Sequence, residues 1–243
     1  MSSAEVAVKK ALIAEELSSP IKCASIGSKG DYVILIHGIR KTSLSMMRIA
    51  HELNKEEYCV VNFGYTAKDT VDTISNSLLP KFIKEFCIDP KKKINFVTHS
   101  AGGIILRRYL EKNSPLQLGR AVMIAPPNHG SEIADFSKKH LTSIYKFIYG
   151  PLGRQLGALS DSYINKILKQ SVNFELGIIA GRVSHNPLSL FLIKGPNDGM
   201  VSVKSTKVRG MKEHVVLPLS HYFILFSKDT TQRVVSFLKI GKF

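Results

Sequence analysis

Ser100 stands where a strand-like run, Ile94 to Thr98, passes after His99 into a helical pattern that opens with Ala101, Gly102 and Gly103. A serine at the tip of so tight a strand-to-helix hairpin is held in a strained backbone with its hydroxyl projecting outward. Its neighbours must be small, because two backbone segments close together there. The helix behind it directs N-terminal amides at whatever forms on the serine oxygen, which suits a developing negative charge. That is the chemistry of a nucleophile elbow. Thr98, two residues before the serine, replaces the glycine usual in G-x-S-x-G, so the elbow must accommodate a β-branched side chain.

A serine hydroxyl is a poor nucleophile at neutral pH and needs a base, which in turn needs an orienting acid. His221 follows the strand-like run His214 to Leu219 and falls on the same sheet edge as Ser100, whereas His214 opens that run. For the acid, Asp198 stands in the turn Gly195-Pro-Asn-Asp-Gly199, directly after the apolar run Leu188 to Ile193, read here as a strand. Asp161 is the second choice, in a helical interval with no strand before it. Asp135 falls in a segment better read as lid, and Asp229 caps the last helix.

Acyl chemistry also requires amide donors for an oxyanion. The residue after the serine, Ala101, supplies one, and Ile39, in the loop after the first central strand, is the better placed second donor. Gly38 lets that backbone approach closely, and His37 before it braces the loop. His99 points away from Ser100 and packs or hydrogen-bonds beneath the elbow. Asn128 and His129 end a strand on the active edge, where they line the pocket or form a turn. His37, Gly38, His99, Asn128 and His129 are therefore carried as the substrate-side candidates, with no metal ligands and no cofactor expected.

The elements that must position these residues alternate. Strand-like runs at Tyr32 to His37, Tyr58 to Phe63, Ile94 to Thr98, Ala121 to Ala125, Leu176 to Ala180, Leu188 to Ile193 and His214 to Leu219 are separated mostly by helical patterns. Near-continuous apolar strands alternating with helices predict a mostly parallel sheet covered on both faces. Ligands bind such sheets at the carboxyl ends of the strands. Pro80 interrupts the helical pattern between Val71 and Phe86. The interval 131 to 173 reads as a small helical lid, with Leu141, Ile144, Phe147, Ile148 and Leu152 at helical steps among basic residues.

The chain has 243 residues, 44% of them hydrophobic, which fits one domain over residues 1–243 with an N-terminal arm or helix over 1–20. No signal segment or transmembrane run is legible, and Cys23, Cys59 and Cys87 show no metal or disulfide spacing. A cytoplasmic location is the expectation. The formal charge of +15 favours anionic partners and leaves peripheral contact with an anionic membrane open. No basic segment forms a recognised nucleic-acid module, so nucleic acid is not expected as a partner.

Five pieces of the chain resemble the α/β-hydrolase superfamily, and within it the small bacterial lipases and esterases. They are Ile36-His-Gly38, Val97-Thr-His-Ser-Ala-Gly-Gly103, Ala125-Pro-Pro-Asn-His-Gly-Ser131, Gly195-Pro-Asn-Asp-Gly-Met-Val201 and Leu219-Ser-His-Tyr-Phe223. The order Ser100, Asp198, His221 is the order of that superfamily's triad. The resemblance implies an α/β-hydrolase fold and a serine hydrolase that cleaves small-molecule or lipid esters through an acyl-enzyme. Acyl transfer to another alcohol, and a non-catalytic hydrolase-fold protein bound to anionic surfaces, are the alternatives.

Overall fold

Six strands form one sheet; the central runs are near-continuously apolar because both of their faces are covered, whereas the last strand, at the sheet edge, is only partly buried. The computed structural model describes residues 30–113, 117–140, 149–160, 162–167 and 171–243. The expected arm over 1–20, the lid residues Leu141, Ile144, Phe147 and Ile148, and Asp161 lie outside the described residues. The strands are β1 (Tyr32–Ile36), β2 (Cys59–Phe63), β3 (Ile94–His99), β4 (Leu118–Ile124), β5 (Leu176–Gly181) and β6 (Glu213–Leu217). They pair in the order β2-β1-β3-β4-β5-β6, every pair parallel.

Side chains alternate across the sheet with a period of two. Ile34, Ile36, Val61, Phe96, Met123 and Ile178 pack on one face, and Val33, Leu35, Val60, Val97, Val122 and Ile179 on the other. The principal helices are α1 (Met47–Lys55), α2 (Leu79–Phe86), α3 (Ala101–Lys112), α4 (Glu132–His140), α5 (Pro187–Leu192) and α6 (Lys228–Ile240). Phe82 and Ile83 of α2 and Ile104, Ile105 and Leu106 of α3 cover the first face. Ile49 and Leu53 of α1 and Val234, Phe237 and Leu238 of α6 cover the second. The α1 and α6 residues stand at three- and four-residue steps, so these helices turn one apolar stripe inward, whereas the start of α3 is buried all round.

Pro80 lies in the first turn of α2, directly after a π-helical stretch, Ile74–Leu78. The wider turn interrupts the hydrogen-bond ladder where proline lacks its N–H, so the helical path from Val71 continues without a break in the chain direction. The interval expected as a lid contains α4, helical residues 149–154 and Tyr163–Ile167. Leu152, Leu156 and Ile164 from it join the core on the α3 side.

Two expectations are corrected. Leu188 to Ile193 is not a strand: it forms α5, because Pro187 presets the first helical residue and the Asn186 side chain accepts from the Leu188 amide at 3.1 Å. The sheet therefore has six strands, and Asp198 is reached from β5 through a helix. Cys59, in a chain whose cysteines show no disulfide spacing, is disulfide-bonded and buried in the core, whereas Cys87 is free. Among the described residues no helix is long and apolar enough to cross a membrane.

Candidate active site

Ser100 follows β3 with φ 51° and ψ −123°, a left-handed conformation in a residue with a side chain. Such a backbone costs about 1–3 kcal/mol and persists only when its surroundings hold it. Here the Ser100 amide donates to the Ile124 carbonyl at 2.9 Å. α3 then packs so closely that a Cβ on Gly102 would stand 2.4 Å from the Ile36 oxygen, and one on Gly103 2.9 Å from Pro126 Cβ. Thr98 is fully buried, and its hydroxyl has no hydrogen-bond partner among the described residues.

His221 lies just past β6. Its Nε2 is 3.0 Å from Ser100 Oγ, its Nδ1 is 2.7 Å from Asp198 Oδ2, and its amide donates to the Asp198 carbonyl at 2.9 Å. The second carboxylate oxygen, Asp198 Oδ1, accepts from the amides of Met200 at 3.0 Å and Val201 at 2.8 Å. A carboxylate only accepts, so Nδ1 of His221 carries the ring proton and Nε2 is left to accept from the Ser100 hydroxyl. All three side chains are buried. Gly181, the last residue of β5, permits this closure: a Cβ there would meet Leu219 O at 2.4 Å and Asp198 Cβ at 2.9 Å.

The loop after β1 is braced by His37. Its Nδ1 donates to Gly38 O at 2.8 Å, its Nε2 accepts from the Tyr65 amide at 3.3 Å, and its ring stacks on Tyr65 at 4.3 Å. Burial pulls the imidazole down to about 4, so it is neutral in the folded protein. A Cβ on Gly38 would stand 2.8 Å from His99 Nδ1 and 3.0 Å from Ser100 Cβ, so the chain can pass Ser100 there only as glycine. Ile39 follows and lines the cavity above Ser100. His99 donates from Nε2 to the His221 carbonyl at 3.1 Å, and burial holds it well below the usual histidine range.

The cavity at Ser100 has a volume of ≈ 50 Å³ and is lined by Ile39, Ile133, Ala134 and Leu156 beside Ser100 and His221. A wider cleft of ≈ 530 Å³ opens at the opposite, amino edge of the sheet, among Asp31, Arg120 and Glu175, far from this chemistry. Asn128 and His129 are not among the cavity-lining residues. Asn128 is buried, donating to Thr206 O at 2.7 Å and accepting from Arg107 at 3.1 Å. His129 is exposed, and its amide donates to Ser205 O at 3.1 Å. Sequence reasoning did not single out Arg40, Tyr149 and Tyr222, which line the cavity; the available signals were the nearness of Arg40 to the Ile-His-Gly segment and of Tyr222 to His221. Among the described residues no cluster of three histidine, cysteine or carboxylate side chains is placed to hold a metal ion.

No protein-family model matches the chain, and no curated protein matches it by sequence. Solved structures do. The mature form of the Bacillus licheniformis lipase BlEst2 superposes with a TM-score of 0.68 at 17% identity, over 90% of this chain and 95% of that one. The Legionella pneumophila phospholipase PlaB gives 0.65 at 18% identity, over 86% of this chain and 63% of PlaB. A metagenomic carboxyl esterase gives 0.66 at 14% identity, covering 82% of this chain and 67% of that one. The chain has the α/β-hydrolase fold. Within it, the carboxyl edge where α/β hydrolases bind ligands is the edge that carries Ser100, Asp198 and His221.

Proposed function

We propose that this α/β-hydrolase-fold protein is a serine hydrolase that cleaves carboxylic esters, in the manner of esterases and lipases. The observation that carries the reading is the buried chain of short contacts from Asp198 through His221 to a serine held at positive φ. In this reading Ser100 Oγ attacks the ester carbonyl while His221 Nε2 takes the hydroxyl proton. The Ile39 and Ala101 amides hold the oxyanion, and Asp198 stabilises the imidazolium that forms. Collapse breaks the ester C–O bond, and His221 returns the proton to the leaving alcohol. A water deprotonated by His221 then attacks the acyl-enzyme and releases the acid, restoring the Ser100 hydroxyl.

Substrate presented at an anionic membrane surface is part of the proposal. Leu190 and Phe191 of α5, with Phe223 and Phe226 after β6, are exposed large apolar side chains, Phe191 at 85%. His185, just before α5, stacks edge-on against Phe223 at 6.2 Å. The positive surplus complements acidic headgroups.

The test is covalent labelling with a fluorophosphonate probe, read by peptide mass spectrometry. Label on Ser100, absent in Ser100→Ala and strongly reduced in His221→Ala, is expected. Asp198→Asn should label slowly and lose about 10⁴-fold in kcat on a p-nitrophenyl ester, because the ring tautomer is no longer held. A folded protein that stays unlabelled even with detergent or anionic vesicles would leave only a binding role for the fold.

A further inference from the structure

The turn that follows the braced loop places one cation, Arg40, in the lining of the Ser100 cavity and a second, Lys41, against a ring that lines it. The Lys41 amide donates to Gly38 O at 3.1 Å, closing a four-residue turn whose third residue, Arg40, has φ 58°. That position in such a turn ordinarily goes to glycine or asparagine, since a longer side chain is strained there. The strain is retained at a residue that reaches the cavity rim. Arg40 lies over the Tyr149 ring, with 5.2 Å from its guanidinium carbon to the ring centroid, and Nη1 is 3.5 Å from the Tyr149 hydroxyl. Lys41 Nζ lies 4.1 Å from the centroid of Tyr222, which lines the same cavity. Ring faces orient a cation while leaving most of its N–H donors open.

No carboxylate of the described residues pairs with either cation. Among the same residues no aspartate or glutamate lines the cavity. Asp198, behind His221, has both oxygens committed to His221 and to the Met200 and Val201 amides. The enclosed part of the cavity is apolar, lined by Ile133, Ala134 and Leu156, and suits an acyl group. The open mouth then receives the alcohol portion of an ester.

We propose that Arg40 and Lys41 select esters whose alcohol portion carries a phosphate or carboxylate near the scissile bond. The inference rests on the hydrolase reading above and adds the substrate's charge to it. Arg40 grips the anion through its guanidinium N–H donors, and Lys41 adds a point charge beside it. Both act next to Ile39, the amide assigned to the oxyanion, so the anion is anchored close to the carbonyl under attack.

The test compares kcat/KM on 1-butyrylglycerol and 1-butyrylglycerol 3-phosphate for the full chain, Arg40→Gln, Arg40→Glu and Lys41→Gln. A parallel arm measures fatty-acid release from acyl-labelled phosphatidic acid and acyl-labelled diacylglycerol, each carried in phosphatidylcholine vesicles, since these two differ only by the phosphate. The phosphate ester should be preferred by about tenfold, as one charge-assisted contact at a partly exposed site provides. Arg40→Gln and Lys41→Gln should each shrink that ratio, and Arg40→Glu should reverse it. A preference among the soluble esters assigns a small anionic substrate, and one confined to vesicles assigns a lipid headgroup. Equal turnover of anionic and neutral esters in both arms, or a ratio that Arg40→Glu leaves unchanged, would overturn the inference while the hydrolase reading stands. No turnover of any ester, with Ser100 unlabelled, would instead remove the hydrolase reading and this inference together.

Discussion

His37 shows how one side chain can be spent on shape. Its ring donates to Gly38 O, accepts from the Tyr65 amide and stacks on Tyr65, and burial lowers it to about 4. Above pH 6.5 it is neutral both folded and unfolded, so its contacts contribute fully. As pH falls below 6.5 the unfolded chain takes up a proton that the folded one refuses, and stability is lost until about pH 4. The total is roughly 3 kcal/mol at about 1.36 kcal/mol per pH unit. His99, also lowered by burial, acts in the same direction. Urea unfolding across that window should give a shallower pH slope for His37→Gln than for the native protein; an identical slope would mean that His37 is not the group responsible. The placing of His221 and Asp198 beside Ser100 was legible because chemistry restricts which residue types could serve as base and acid and the strand edges restrict where. The rim pair Arg40 and Lys41 was not legible, since nothing local distinguishes an arginine over a distant tyrosine from any surface arginine.

Among the elements, the β3-to-α3 hairpin was read from sequence because its demands are local. Strand, small residues and helix follow one another without a linker, and the glycines answer to backbone a few ångströms away. Gly102→Ala should destabilise by about 2–3 kcal/mol, since its Cβ would press on the Ile36 carbonyl, which cannot move without disturbing β1. Thermal or urea unfolding of the variant measures this, and an unchanged midpoint would mean that β1 yields. α5 was misread for a complementary reason. A short apolar run has no period of its own, and strand or helix is decided by whether a neighbour strand is there to pair with. β5 pairs with β6, so no place beside it remains for Leu188 to Ile193. Asn186 and Pro187, the capping pair, were the available signal.

At the scale of the whole molecule, a large positive surplus accompanies exposed apolar side chains, the pairing that the proposed membrane contact uses. Exposed phenylalanines after β5 and β6 have no cover among the described residues, and the chain carries +15. Co-sedimentation with phosphatidylglycerol vesicles should exceed that with phosphatidylcholine. It should weaken as salt rises from about 50 to about 500 mM, where the Debye length shrinks to a few ångströms. Replacing Phe191 and Phe223 together by alanine should weaken it by roughly tenfold or more, the loss of two inserted side chains. Equal binding to both lipids, insensitive to salt and to the double variant, would refute the contact.

Sequence alone determined the parallel α/β plan, because strands buried on both faces must be continuously apolar and their crossover helices must carry stripes at helical spacing. It also determined the order and edge of Ser100, Asp198 and His221, because each follows an element that delivers it to the carboxyl side. Only the tertiary structure decided which candidates face the cavity. Asn128 turned inward to Thr206 and Arg107, His129 turned to the Lys207 backbone, and His37 turned to Tyr65, choices made by partners tens of residues away. The same holds for the cavity's narrowness and its cationic mouth, which arise where the β1 loop, the lid interval and the His221 loop converge. Local pattern specifies elements, and side-chain direction is set by the packing of elements that the sequence does not place side by side.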